Sequence, residues 1–501
     1  MTHDTRRLRT VPAGMLGLTM SPSVVLRSRG ALLLAGVGSE LIYLLYFVRQ
    51  FPLLPYSHQD LDMGDISNHS HAAFWGFVYS FTVLFLLLGI AYWSGQDWHD
   101  RTTLWIILAM GAMFAITLTF VYPITAIDIF TYINQSRIML HYHQNPIFVA
   151  PSHFPFDPLM PLSDGWRDKG APYGPLGIVI NALSTIVAGD NLLENLILIK
   201  LLYSAMALGC AYLVHQILGR VAPRYALGGA LLVAWNPLVL FEISVNGHND
   251  AAMMLIALIA IQSMVEAEFA VATIALVLSA LVKYGTALLL PLFVVHALAH
   301  LPTTQRRIRY LVLAGAGSLL ATVALYAPFW EGPSTLNRSL LENDMHIESF
   351  SSVLPTVFGG GITVDAAGVI GRVLFVPLYA YALWLARGEV ADLLRGCFLA
   401  VFGFLALGVS NFKIWYAVWP SILAGAIPNA TQRLAAQLLA YGATISATFY
   451  AYVWVWNDLQ NFSDVNIRAY LLAFAPAALA LAVLSFRRRA VGEAPSDHPT
   501  A

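Results

Sequence analysis

Charge is scarce in this chain and cysteine nearly absent. Lys, Arg, Asp and Glu together supply 11% of 501 residues, and there are two cysteines. Both of these, Cys210 and Cys397, fall inside or beside apolar runs, so no disulfide framework is expected. A Gly-rich phosphate loop, a Cys pair and a serine-nucleophile elbow are all missing, which argues against a soluble nucleotide-handling domain. The basic residues are scattered through short loops without interleaved aromatics, so no nucleic-acid partner is expected. His141-Tyr142-His143 is too short and isolated for a metal site. No cofactor is called for with certainty, and a divalent cation, though allowed, is implied by no ligand spacing.

Apolar residues are what the chain has in abundance. They make up 58% of it, and mean hydropathy is positive. Runs long enough to span about 30 Å of hydrocarbon, roughly 17 to 25 residues each, recur from residue 31 to residue 486. The expected fold is an all-α polytopic integral membrane protein with about 14 transmembrane helices. The apolar stretch Gly30 to Val48 is too long for a signal peptide and lacks a small-residue exit, so it reads as a retained first span.

The formal net charge of −1 hides an asymmetry between alternate loops. One set holds Arg27, Arg29, Arg101, Arg220, Arg224, the Arg306-Arg307 pair, Arg387, Arg395, Arg433 and Arg487-Arg488-Arg489. The positive-inside rule makes these loops cytoplasmic and places the acid-rich ones outside a cell membrane. The expected layout is a cytoplasmic segment 1–30, one membrane domain over 31–486, and a disordered cytoplasmic tail 487–501. Two outer segments, 123–192 and 329–366, interrupt the spans. Within the first, Tyr173 to Ala188 resembles a span, yet counting it as one would move every later arginine to the wrong side. It is therefore laid in the interface or made re-entrant.

Four clusters of chemistry-bearing residues fall at one outer level. Asp128, with Tyr132 and Arg137, stands where an apolar run gives way to the first outer segment. A carboxylate there is poorly solvated, as a catalytic base requires, although Asp128 could instead cap the helix behind it. Asn246-Gly247-His248-Asn249-Asp250 forms a turn between spans, readable as a site or as turn plus cap. Lys283-Tyr284 could bind an anion or snorkel to headgroups. Lys413, Trp415 and Tyr416 fit a site or an aromatic belt. Glu40 and Lys200, nearer the middle of spans, read as internal polar contacts.

The order of these pieces resembles the C-type superfamily of polytopic glycosyltransferases, and within it the polyprenol-phosphate-mannose-dependent mannosyltransferases of bacterial envelope glycan synthesis. The matching residues run from Asp128-Ile129-Phe130-Thr131-Tyr132 through Asn145-Pro146, Pro172-Tyr173-Gly174-Pro175-Leu176 and Trp235-Asn236-Pro237. Gly247-His248-Asn249-Asp250, Lys283-Tyr284 and Trp415-Tyr416 continue in the same order. The resemblance implies a polyprenyl-phosphate sugar donor, a glycan or glycolipid acceptor and transfer with inversion at the outer face, with mannose as the sugar. It makes Asp128 the base, Lys283 with Arg137 the donor-phosphate group, and Tyr132, His248, Asn249, Asp250, Tyr173, Tyr284, Lys413, Trp415 and Tyr416 substrate-binding residues. Many members carry two adjacent acids, whereas Asp128 stands between Ile127 and Ile129, so the pair that would bridge a metal is absent. Two rival readings are a transporter or lipid-linked-sugar flippase, and a structural subunit of an envelope-assembly complex. No internal repeat favours the transporter.

Overall fold

Away from water a helix satisfies its own backbone polar groups, so the long apolar runs become helices. The computed structural model describes residues 29–94, 100–337 and 346–490. The basic stretch before residue 29, Asn343-Asp344-Met345 and the tail after residue 490 lie outside the described residues.

The chain opens with α1 (Arg29–Val48), α2 (His71–Ser94) and α3 (Arg101–Thr119), all long and apolar. Two shorter helices follow, α4 (Asp128–Leu140) and α5 (Pro175–Ala188). After α6 (Leu192–Val221) comes a bent pair, α7 (Pro223–Ala234) and α8 (Pro237–Val245), with 43° between them. The short apolar helices α9 (Asp250–Val265), α10 (Phe269–Ala280) and α11 (Tyr284–His300) lead to α12 (Thr304–Phe329). A short α13 (Phe350–Val357) precedes α14 (Val364–Leu385), α15 (Val390–Gly408), α16 (Ile414–Gly425), α17 (Ala430–Trp456) and α18 (Phe462–Ala490).

Among the described residues nine helices are long and apolar enough to cross a membrane, or ten if the bent pair is one span. The short helices α9, α10, α11 and α16 coincide with the other spans expected from sequence. No strand forms among the described residues, only two isolated bridges, Pro52 with Val121 and Ile347 with Asn411. The protein is an all-α polytopic membrane protein.

Polar side chains work mostly at helix ends. Asp100, Asn191, Thr303, Thr363 and Asn429 each accept a hydrogen bond from the third residue of the helix that they open. Lys200, fully buried on α6, donates to the carbonyls of Thr119 (3.3 Å) and Val121 (2.5 Å), closing the end of α3. Glu40 accepts from Thr117 Oγ1.

The break between α7 and α8 is written in Trp235-Asn236-Pro237. Pro237 occupies the first helical position, and the Asn236 side chain accepts from the amides of Leu238 and Val239. Phe241 on α8 then packs into a knot with Phe47 of α1 at 5.3 Å and Phe81 of α2 at 5.1 Å between ring centroids. At about 1.5 Å per residue, α5 is too short to cross. One side of it packs on α4 and α6, while Val179, Leu183, Ile186 and Val187 stay exposed.

Candidate functional site

The starts of α4, α5, α9, α11 and α16 meet at one end of the bundle. Asp128 is the first residue of α4, and the cap position before it belongs to Ile127, which makes no side-chain capping bond. Asp128 is therefore not the helix cap. It is 4% exposed, and its Oδ1 accepts a hydrogen bond from the Tyr173 hydroxyl at 2.8 Å. Burial and the charge of Asp128 push the Tyr173 phenol far above its ordinary range, so the phenol stays a donor. Tyr132, one turn along α4, meets the Tyr173 ring edge-on at 5.1 Å.

Tyr173 is held by a backbone dock. The amides of Gly174 and Leu176 donate to the carbonyls of Val282 (3.2 Å) and Leu281 (3.0 Å), at the end of α10. A Cβ on Gly174 would collide with the Leu281 carbonyl, so only glycine allows this approach. The dock sets the residue after Val282 beside Tyr173. That residue is Lys283, whose Nζ lies 6.0 Å from the Tyr173 ring centre, 5.9 Å from that of Trp415 and 5.2 Å from that of Tyr416.

Lys283 forms an ion pair of 2.8 Å with Asp250 Oδ2, and Trp419 Nε1 donates to Asp250 Oδ1. Asp250 opens α9 after a turn that Gly247 makes at φ +71°, a conformation suited to glycine. The same turn buries His248 against Trp415, ring centres 4.3 Å apart and nearly parallel. His248 Nε2 lies 3.2 Å from Glu242 Oε2 without the alignment of a hydrogen bond. Glu242 is held by Asn246 Nδ2 (2.9 Å) and Thr125 Oγ1 (3.3 Å). Both polar atoms of the Asn249 side chain are buried with no hydrogen-bond partner among the described residues, which is uncommon.

Above this layer opens a cavity of about 320 Å³. Its lining includes Asp62, Asp128, Glu348, Lys413, Trp166 and Trp415. A carboxylate suits an incoming hydroxyl, an ammonium suits an anion, and flat aromatic rings suit the apolar face of a sugar. Burial lowers the pKa of the Lys413 ammonium, opposed by the charges of Asp128 and Glu348. Burial raises Glu348 to about 8, opposed by Ser446 and Lys413. Among the described residues no group of three or more His, Cys, Asp or Glu side chains is placed to hold a metal ion.

Asp128, Tyr132, Tyr173, His248, Asn249, Asp250, Lys283, Lys413, Trp415 and Tyr416 thus belong to one connected region. Two residues of the expected set stand apart. Arg137 gives its guanidinium to Asp157, at 2.7 Å, and to Asp190, and does not line the cavity. Tyr284 turns to the hydroxyl of Tyr326 and is 36% exposed. Sequence reasoning missed Glu242, Glu348 and Trp419. A signal existed for Glu242, the only charge in the apolar run Leu240-Phe241-Glu242-Ile243.

Residues 52–300 match the family described as alpha-(1->6)-mannopyranosyltransferase, N-terminal domain. That stretch contains Asp128, Tyr173, Glu242, Asp250 and Lys283, and ends before Glu348 and Lys413. The chain is 25% identical over 334 residues to alpha-(1->6)-mannopyranosyltransferase A of Mycobacterium tuberculosis, covering 63% of this chain and 64% of the relative. It is 23% identical over 252 residues to the protein of the same name from Corynebacterium glutamicum, covering 47% and 50%. The chain therefore matches less than two thirds of the length of either relative.

Proposed function

We propose, from the premise that residues 52–300 belong to the alpha-(1->6)-mannopyranosyltransferase family, that this membrane protein transfers mannose from a polyprenyl-phosphate carrier to a glycan or glycolipid. The observation that carries the reading is the convergence of a buried carboxylate, Asp128, and an ammonium, Lys413, on one cavity. The names of both relatives support mannosyl transfer and suggest an α-(1→6) product. The donor class rests on the sequence resemblance, with Lys413 as the cation for its phosphate.

In this reading Asp128 Oδ2, which takes no hydrogen bond among the described residues, accepts the proton of an acceptor hydroxyl. The hydroxyl oxygen bonds to the anomeric carbon as the carbon–phosphate oxygen bond breaks, and the electron pair leaves on polyprenyl phosphate. One displacement inverts the anomeric centre, so a β-linked donor gives an α-linkage. Tyr173 fixes the carboxylate, as a general base must be fixed. Lys413 faces the negative charge that builds on the leaving phosphate. Lys283, its charge balanced by Asp250, packs among the Tyr173, Trp415 and Tyr416 rings of the same region. Arg137 anchors the loop that carries Asp157.

The arginine-rich loops support a cell-membrane orientation with both termini cytoplasmic and the cavity on the outer face. The test is transfer by purified protein in detergent, supplied with labelled polyprenyl-phosphate mannose and short mannose oligomers. Growth of the oligomer by one mannose with release of polyprenyl phosphate is the expected result. Absence of turnover with every acceptor, together with passage of the labelled lipid across a vesicle bilayer, would assign the protein to lipid translocation instead.

A further inference from the structure

Glu348 is an acid without a task in the mechanism above. It lies in the segment between α12 and α14, is 2% exposed, and lines the cavity with Asp128 and Lys413. Its Oε1 is buried with no hydrogen-bond partner among the described residues. The backbone holds it firmly there. Ile347 bridges Asn411, and the Phe412 amide donates to the Ile347 carbonyl at 3.0 Å, which ties Glu348 to the segment bearing Lys413. From α18, Asn466 Oδ1 accepts the Glu348 amide at 3.0 Å and also the Tyr450 hydroxyl at 2.8 Å. Glu348 itself sits at φ +47°, the left-handed region that side chains other than glycine adopt at a cost. Strain of this kind persists where the surroundings over-determine a position, and it concentrates at ligand sites.

We infer that Glu348, in its neutral acid form, donates a hydrogen bond to the donor's phosphate beside Lys413, so that an ammonium and a carboxylic acid together hold one anion. This rests on the functional reading above and names the residues of its donor subsite. A buried carboxyl beside an anion must be protonated, since a second negative charge in the same low-dielectric space would repel it. Burial already favours that form at neutral pH. The charged and titratable groups around Glu348 are Lys413 on its tied neighbour, Tyr450 on α17, Asp128 at the start of α4 and Asp62 across the cavity. Asp62 is occupied in a capping box with Asp65, and Asp128 accepts from Tyr173, which leaves Glu348 as the acid with an unused buried oxygen.

The test measures binding of polyprenyl-phosphate mannose to the full chain in detergent, without acceptor, from pH 6.5 to pH 9.5. This lipid is a phosphodiester and keeps one charge throughout, so any pH dependence belongs to the protein. Lys413 also loses charge on the alkaline side, which is why wild type is compared with Glu348→Gln at each pH. Gln mimics the neutral acid and cannot ionise. Equal affinity is expected at pH 6.5, and at pH 9.5 wild type should bind roughly tenfold more weakly than Glu348→Gln, the size of one charge-assisted hydrogen bond. Glu348→Ala should bind weakly at every pH. Equal affinities of wild type and Glu348→Gln at pH 9.5, or a Gln variant already weak at pH 6.5, would overturn the inference and leave the transfer reading standing if turnover is seen. Absence of donor binding by wild type would overturn both.

Discussion

The Tyr173 hydroxyl and the Asp128 carboxylate, 45 residues apart in sequence, meet in a 2.8 Å hydrogen bond. The bond exists because Gly174 lets the backbone after Tyr173 lie against Leu281 and Val282, and the same dock delivers Lys283. Tyr173→Phe should cost about 1 kcal/mol of stability, a typical net value for one hydrogen bond. It should lower kcat roughly tenfold with little change in donor KM, because a loosened base is misplaced while the donor subsite is intact. Steady-state kinetics beside a thermal melt check this, and an unchanged kcat would remove Tyr173 from the positioning role.

Asp250 and Lys283 form a largely buried pair, so removing one partner strands a charge. Lys283→Met alone should destabilise the protein by about 3 kcal/mol or more, the usual cost of breaking a buried pair. Joining it to Asp250→Asn should recover part of that loss. Additive effects in the double variant, read from unfolding in detergent, would show that the pair carries no coupling.

Glu348 makes stability depend on pH. Its pKa rises from 4.5 to about 8 on folding, so the folded protein holds a proton that the unfolded chain releases. That contribution is fully present below the unfolded value and is lost as pH rises through the folded one. Glu348→Gln should therefore melt at a temperature that changes less between pH 4.5 and pH 8 than wild type does, with the variant gaining relative stability toward the alkaline end. Parallel melting curves across that window would contradict the assignment.

Arg137 separates an anchor from a phosphate ligand. Its partners are Asp157 and Asp190, so Arg137→Met should lower the melting temperature and leave donor KM within about twofold of wild type in the surviving folded fraction. A large rise in donor KM without loss of stability would return Arg137 to the donor subsite.

Much of this architecture could be read from the chain, because apolar runs and Gly turns act locally. The apolar stretch after Tyr173 is legible as a helix from residue type, whereas the break at Trp235-Asn236-Pro237 falls inside a run that reads as one span. Arg137 shows where such reading fails. Nine residues separate it from Asp128, about two and a half turns, which places the two on opposite faces of α4. Glu348 was hidden for another reason. In a polar segment an acid is unremarkable, and only the bridge from Ile347 to Asn411 brings it to Lys413. Trp419 sits one turn beyond Trp415 and reads as ordinary core until Asp250 is found against it.

The account turns on Asp128 as the base. Wild type and Asp128→Asn, purified in the same detergent, should be compared for transfer of labelled mannose to a mannose oligomer and for binding of polyprenyl-phosphate mannose. Loss of a general base predicts a fall in transfer of roughly a hundredfold to ten-thousandfold, with donor binding nearly unchanged. Transfer by Asp128→Asn close to the wild-type rate would contradict it.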